Sequence, residues 1–412
     1  MQSTCDLVIV GAGAAGLAAA RAARDAGLNI EVVEASSRIG GRAFTDSTTF
    51  GTAFDLGCQW LHAASINPYT KAADRLGFRY RKDPFRYRIH DGTWWLNDSL
   101  VEQFGTSLAA TYDRVAALGD AGEDVPAARA IDPADPWGAL FRRAYTGYMA
   151  WPPEEVSTYD TARFRFTDED WPVEDGYGAL VAADGADIEV NLDCPVKSID
   201  WGSDEVMVGT AKGMIFCRAV LVTVSVGVLQ AERIKFFPLL PEAKLGALSR
   251  LRMGHAEKVG LSLKRDIFAG VGPHFAMLNW EGAPTAGFVC KPFDRQMAIL
   301  FASGPFARDL FAQGADAAIA EAKALLAKVC GADVLKEITT AKATGWGTDP
   351  LHLGAYSVLS PGGGEARAEL AQPIDERLFF AGEATSPDGF STAHGAYNSG
   401  VAAVDAIKRA LA

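Results

Sequence analysis

The 412-residue sequence lacks the marks of a zinc protein, a disulfide scaffold and a membrane span. Its six cysteines, Cys5, Cys58, Cys194, Cys217, Cys290 and Cys330, include no C-x-x-C pair and no cluster with histidine. Neither a metal site nor a disulfide framework is therefore signalled, and a reducing, cytoplasmic setting is expected. No apolar run is long enough to cross a bilayer. The short run Leu7 to Val10 also lacks the preceding Lys or Arg of a secretory signal. Positive charge is scarce too: 39 Lys plus Arg against 51 Asp plus Glu give a formal net charge of -12. Such a field repels nucleic acid and anionic lipid and attracts a small cationic substrate. Internal repeats, low-complexity tracts and linkers are missing, which argues against an appended partner-binding module. Monomer and homodimer are both compatible with this pattern.

What is present is a globular composition, 49% hydrophobic and 22% charged, which excludes a disordered chain. At about 100 to 200 residues per domain the length predicts two domains. The apolar run Cys5 to Val10 ends at Gly11-Ala12-Gly13-Ala14-Ala15-Gly16, and Leu17, Ala20 and Ala23 follow at helical spacing. Asn29 to Val33 then reads as a second strand ending at Glu34. Strand, tight turn, helix, strand and terminal acid form a dinucleotide-binding βαβ unit. Gly11 permits the sharp turn, Gly13 lets a pyrophosphate approach the backbone, and Gly16 allows helix and strand to pack closely. The positive end of the helix faces the phosphates. Glu34 stands where a carboxylate accepts from a ribose. The extension Ser37-Arg38-Ile39-Gly40-Gly41-Arg42 adds a second glycine pair and a guanidinium suited to phosphate, beyond what a nicotinamide dehydrogenase needs.

With this extension the N-terminal region resembles flavoproteins that bind FAD through a glutathione-reductase-like fold. Near the C-terminus, Ala381-Gly382-Glu383-Ala384-Thr385 closes an apolar strand, and His394-Gly395-Ala396-Tyr397-Asn398-Ser399-Gly400 lies in a helix running from about Thr392. Together with Trp346, Asp349-Pro350 and Gly354-Ala355-Tyr356-Ser357, these segments resemble the flavin-containing amine oxidases, which include monoamine oxidases, polyamine oxidases and lysine-specific histone demethylases. Residues Leu221 to Leu229 and the stretch through Gly254 and Lys258 are similar as well; about 85 to 175 are poorly matched.

The resemblance implies an α/β fold, in which an FAD-binding Rossmann-like domain (1–72, 176–229, 345–412) is interleaved with an α+β substrate-binding domain (73–175, 230–344). It assigns FAD to Gly11, Gly13, Gly16, Glu34, Arg42, Val196, Trp346, Gly382 and Glu383, with Val196 meeting the adenine through its backbone and Glu383 the ribityl or diphosphate linker. Ala355 stands where monoamine oxidases carry the cysteine bonded to the flavin, so the cofactor is expected to be non-covalent. Tyr356 matches one wall of the aromatic cage around the amine. Thr392 stands at the second wall, as in histone demethylases. Trp60 and His62 resemble the segment in which animal polyamine oxidases place an active-site histidine. Lys258 matches the lysine that holds a water near flavin N5, whereas its local pattern without the resemblance favours a solvated strand residue.

These expectations define an FAD-dependent oxidase of a polyamine or another aliphatic amine, closest in pattern to polyamine oxidases. The amine becomes an imine that hydrolyses to an aldehyde, and dioxygen becomes hydrogen peroxide. The alternatives are an L-amino-acid oxidase, which needs an arginine clamp for the carboxylate, and another flavin dehydrogenase or desaturase of the superfamily. A flavin-binding scaffold or chromatin-type regulator is disfavoured by the lack of basic surface.

Overall fold

A computed structural model describes residues 4–82, 86–165, 167, 169–268 and 271–412. The N-terminal apolar run forms the strand Thr4–Val10, the alanine-rich stretch the helix Ala14–Asp25, and the next run the strand Ile30–Val33. Thr4–Val10 lies parallel to both Ile30–Val33 and Gly213–Val222, and the latter lies parallel to Leu378–Phe380. In this register Val10 pairs with Val33 and Val222, and Val222 with Phe380. Four segments far apart in sequence therefore end at one edge, the carboxyl side where open parallel sheets bind ligands. Gly11, Glu34, Thr223 and Ala381 leave the sheet together there.

The small residues of the first helix are required by its partner. Helix Ala393–Leu411 packs against it so closely that a Cβ on Gly400 would lie 2.2 Å from the Ala15 carbonyl oxygen. Real Cβ atoms do not approach an oxygen so closely, so only glycine fits at position 400, against Ala15 of the first helix.

Val206–Thr210 and Gly213–Val222 form an antiparallel hairpin. Val196–Asp200 and Lys235–Phe237 extend the same sheet. The latter falls in the segment the sequence reading gave to the substrate-binding part at 230–344. It instead pairs in parallel with Val196–Asp200, and Leu248, Leu251 and Met253 join the core of the first sheet. Burial of Phe236 against this core explains why residues past 229 stay with it.

The second sheet runs Ile338–Ala343, Ala256–Leu263, Met297–Ser303, Ala286–Cys290, His274–Leu278 and Arg86–His90. Side chains alternate across a strand. Val259 and Leu261 face a core shared with Leu325 and Leu326 of the helix Ala315–Cys330. Lys258 therefore belongs to the opposite face, towards the first domain. Helices Asp98–Asp120 and Gly138–Met149 contribute an aromatic layer that includes Phe141 and Tyr145. No helix among the described residues is long and apolar enough to cross a membrane.

Candidate active site

The glycine loop is sterically fixed. Gly11 has φ of +106°, and a Cβ on Gly16 would fall 1.9 Å from the Gly11 carbonyl oxygen. Gly13 is the N-cap of the following helix and offers no side-chain cap, so the first-turn N–H groups remain open to an anion. Glu34 accepts from the backbone of Ala12 at 2.7 Å and of Ser36 at 2.8 Å. An ionised carboxylate has about four acceptor positions, which leaves two for ribose hydroxyls. The Cys194 N–H donates to the Glu34 carbonyl at 2.8 Å, bringing the segment leading to Val196 to the same end of the crevice.

Farther along, Arg42 Nη1 donates to the Ala355 carbonyl at 2.8 Å and to Glu383 Oε1 at 3.0 Å. Its Nε and Nη2 have no hydrogen-bond acceptor among the described residues. Glu383 also accepts from the Ser357 N–H at 3.0 Å, the Ser357 hydroxyl at 2.6 Å and the Ser391 N–H at 2.9 Å. Burial alone would raise its pKa, but Arg42 and Arg367 hold the carboxyl below the ordinary range. Its four acceptor positions are thus filled by protein. The sequence reading has Glu383 meeting the linker directly; in the structure it braces Arg42. Gly382 donates its N–H to Ser399 Oγ of the C-terminal helix at 2.9 Å. The buried Trp346 donates from Nε1 to the Leu56 carbonyl at 2.9 Å, tying the C-terminal signature to the loop before Trp60.

Lys258 is buried on its sheet face and donates to the carbonyls of Asp55 at 2.8 Å and Gly57 at 2.7 Å, and to Gln59 Oε1 at 3.2 Å. Desolvation brings its pKa down to about 8, opposed by the charge of Asp55. Its nitrogen lies 4.7 Å from the Phe301 ring centroid and 5.9 Å from that of Trp60. The Trp60 ring lies 6.4 Å from that of His62, which is 6.3 Å from Tyr148. The Tyr148 carbonyl accepts from the Tyr356 hydroxyl at 2.9 Å. Lys258, Trp60, His62 and Tyr356 are therefore linked in one wall, with Phe301 and Tyr148 as members that sequence reasoning missed. Thr392 stands apart from the role read for it: its hydroxyl donates to the Gly389 carbonyl at 2.6 Å and accepts from the Gly395 N–H at 3.0 Å, capping the C-terminal helix.

Two further groups escaped the sequence. Asp170, in the poorly matched stretch, lies with Oδ1 2.6 Å from His62 Nδ1. His394, within a quoted motif but without a role there, is buried, and its Nδ1 has no hydrogen-bond partner among the described residues. An orphaned nitrogen on the first turn of the C-terminal helix, an uncapped N-terminus at Gly13 and the open donors of Arg42 all fit a bound dinucleotide. No signal in a single sequence could have paired Asp170 with His62, since the contact depends on strand register.

The model of the family described as flavin containing amine oxidoreductase matches residues 112–408, and that of an NAD(P)-binding Rossmann-like domain matches 9–74. The chain is 28% identical over 433 residues to lysine-specific histone demethylase 1B of Mus musculus, covering 96% of this chain and 52% of that protein. It thus spans about half the length of that relative. It is 27% identical to polyamine oxidase 4 of Oryza sativa subsp. japonica, covering 98% of this chain and 89% of the relative. A solved putrescine oxidase redesigned in cofactor binding matches the fold with a TM-score of 0.80 at 21% identity, over 98% of this chain and 99% of that one. Wild-type putrescine oxidase bound to putrescine gives a TM-score of 0.77 at 22% identity, over 99% of each chain.

Proposed function

The chain belongs to the flavin containing amine oxidoreductase family, with FAD as its cofactor, and from that premise we propose that it oxidises a polyamine or another aliphatic amine. The observation that carries this reading is the wall in which Lys258, Trp60, His62 and Tyr356 meet, since cation–aromatic and imidazole contacts suit an amine. When bound, the flavin supplies the two-electron oxidation of the amine's C–N bond.

The glycine loop and first helix hold the pyrophosphate, Glu34 the ribose, and the Val196 backbone the adenine. Arg42 reaches the phosphates with its open donors and is aimed by Glu383, while Gly382 and Trp346 keep the C-terminal loop against the crevice. Tyr356 and Trp60 flank the amine and exclude water, with Tyr148 supplying the aromatic surface that Thr392 does not. His62 accepts a proton from the substrate, because the lone pair of a neutral amine is what assists loss of the α-hydrogen. Lys258 holds the Asp55–Gln59 loop through its three donors and, once deprotonated, accepts from a water beside the flavin. The imine hydrolyses to an aldehyde, and dioxygen leaves as hydrogen peroxide.

A peroxide-coupled screen of putrescine, spermidine, spermine, their acetylated forms, arylalkylamines and L-amino acids tests this reading. An aliphatic di- or polyamine should give the highest kcat/KM. Faster turnover of ordinary L-amino acids than of any amine would overturn it.

A further inference from the structure

His62 follows the two-residue strand Trp60–Leu61, and Asp170 precedes its antiparallel partner Trp171–Pro172. Trp60 pairs with Pro172 and Leu61 with Trp171, so one more step of the same register sets residue 62 opposite residue 170. There Nδ1 and Oδ1 lie 2.6 Å apart. Burial would raise the Asp170 carboxyl, but the hydrogen bond and charge of His62 hold it below the ordinary carboxylate range. An ionised carboxylate only accepts, so the proton of this bond belongs to Nδ1, and a neutral His62 carries its lone pair on Nε2. Nε2 has no hydrogen-bond partner among the described residues.

The surrounding groups leave this polarity intact. Tyr87 and Tyr148, from the strand Arg86–His90 and the helix Gly138–Met149, have hydroxyl pKa values raised by burial and further by the Asp170 charge, so they stay neutral. Glu169 is engaged by the Ser65 N–H at 3.0 Å. His394 of the C-terminal helix is brought down to about 4 by burial and by the charge of His62, so it too is uncharged at neutral pH. Asp170 is the negative group in direct contact with the imidazole. As a mere cross-strand ion pair with a half-exposed carboxylate it would contribute little to stability.

We propose that Asp170 is a positioning residue that fixes His62 with Nε2 towards the substrate, so that the pair removes the proton of the bound ammonium before oxidation. The proposal rests on the amine-oxidising reading. One N–H bond of the ammonium breaks, the Nε2–H bond forms, and the nitrogen keeps its electron pair. The resulting imidazolium remains paired with the Asp170 carboxylate, and no oxidant takes part in this step.

The test uses FAD-loaded enzyme and two readouts. Nitrogen NMR of labelled histidine, with the His62 signal assigned through His62→Gln, should report an Nδ1-protonated ring in the wild type. Asp170→Ala should abolish that preference, while Asp170→Asn, which retains an acceptor oxygen, should keep it. With the best amine, Asp170→Ala should lower kcat/KM about 10²-fold at neutral pH and change the acidic limb of the pH profile, with little change in thermal midpoint. The Asp170→Ala, His62→Gln double variant should be no slower than His62→Gln alone. An Nε2-protonated ring in the wild type, coincident pH profiles, or additive losses in the double variant would each overturn the proposal. If no amine is oxidised, the functional reading fails and proton removal fails with it, while the ring tautomer still decides whether Asp170 orients His62.

Discussion

The Lys258 ammonium nitrogen sits 2.7 Å from the Gly57 carbonyl oxygen, and this bond is one of three that consume its protons. A lysine ammonium has three donors and no acceptor, so its contacts with Asp55, Gly57 and Gln59 leave none for a water while it stays charged. Deprotonation near its pKa of about 8 frees a lone pair that can accept from one. Lys258→Met removes the bonds and leaves two carbonyls and an amide oxygen unpaired in a buried place. Each such group costs roughly 1–3 kcal/mol, so the variant should melt several degrees lower as well as lose about 10²-fold in turnover. Lys258→Arg should recover more of the melting temperature than of the turnover. Wild-type values of both quantities in Lys258→Met would remove Lys258 from the site.

Gly16→Ala tests the cofactor crevice. Its Cβ would meet the Gly11 carbonyl oxygen at 1.9 Å, a contact relieved only by moving the loop or the helix. The purified variant should contain less than a tenth of the wild-type flavin per chain by absorbance. Gly27→Ala is the control: a Cβ there meets nothing within 4 Å, although its φ of +80° carries some strain. A fully loaded Gly16→Ala enzyme would mean that the loop does not bind the pyrophosphate.

The first βαβ unit was legible because its signals are local: apolar runs, helical spacing and a glycine turn whose steric reasons hold within 30 residues of chain. Lys258 was readable only through the resemblance, since the apolar alternation of Val259 and Leu261 belongs to the opposite face of its strand. Glu383 was found but misassigned, because the four donors that fill its carboxylate come from Arg42, Ser357 and Ser391 and meet only in the folded chain. Asp170 was invisible for a similar reason. Its partner is fixed by the register of a sheet only two residues wide, which no hydrophobic period announces.

Ala355 predicts how the flavin is held. Its methyl group has no nucleophile to attach, so acid precipitation of the holoenzyme should leave the yellow colour in the supernatant. A coloured pellet would show covalent attachment through another residue. Ala355→Cys, placed beside the carbonyl that Arg42 grips, should retain flavin in that pellet if the side chain reaches the ring.

His394 gives the stability of the protein a predictable acid limb. Burial lowers its pKa from 6.5 to about 4, and His62 adds to the effect, while only 5% of the residue is exposed. Between these values the unfolded chain binds a proton that the folded one does not, so stability rises with pH there and is lost as pH falls from 6.5 to about 4. The slope from this one group is at most about 1.4 kcal/mol per pH unit. Urea unfolding of the holoenzyme at several pH values should show it, and His394→Met, which titrates nothing, should flatten the limb over that window while leaving stability above pH 7 less affected. Below pH 4 the group binds its proton in both states and the two curves should run parallel. Equal slopes for wild type and variant between pH 4 and 6.5 would mean that His394 is already charged in the fold, and would place a compensating acid against its unpaired Nδ1.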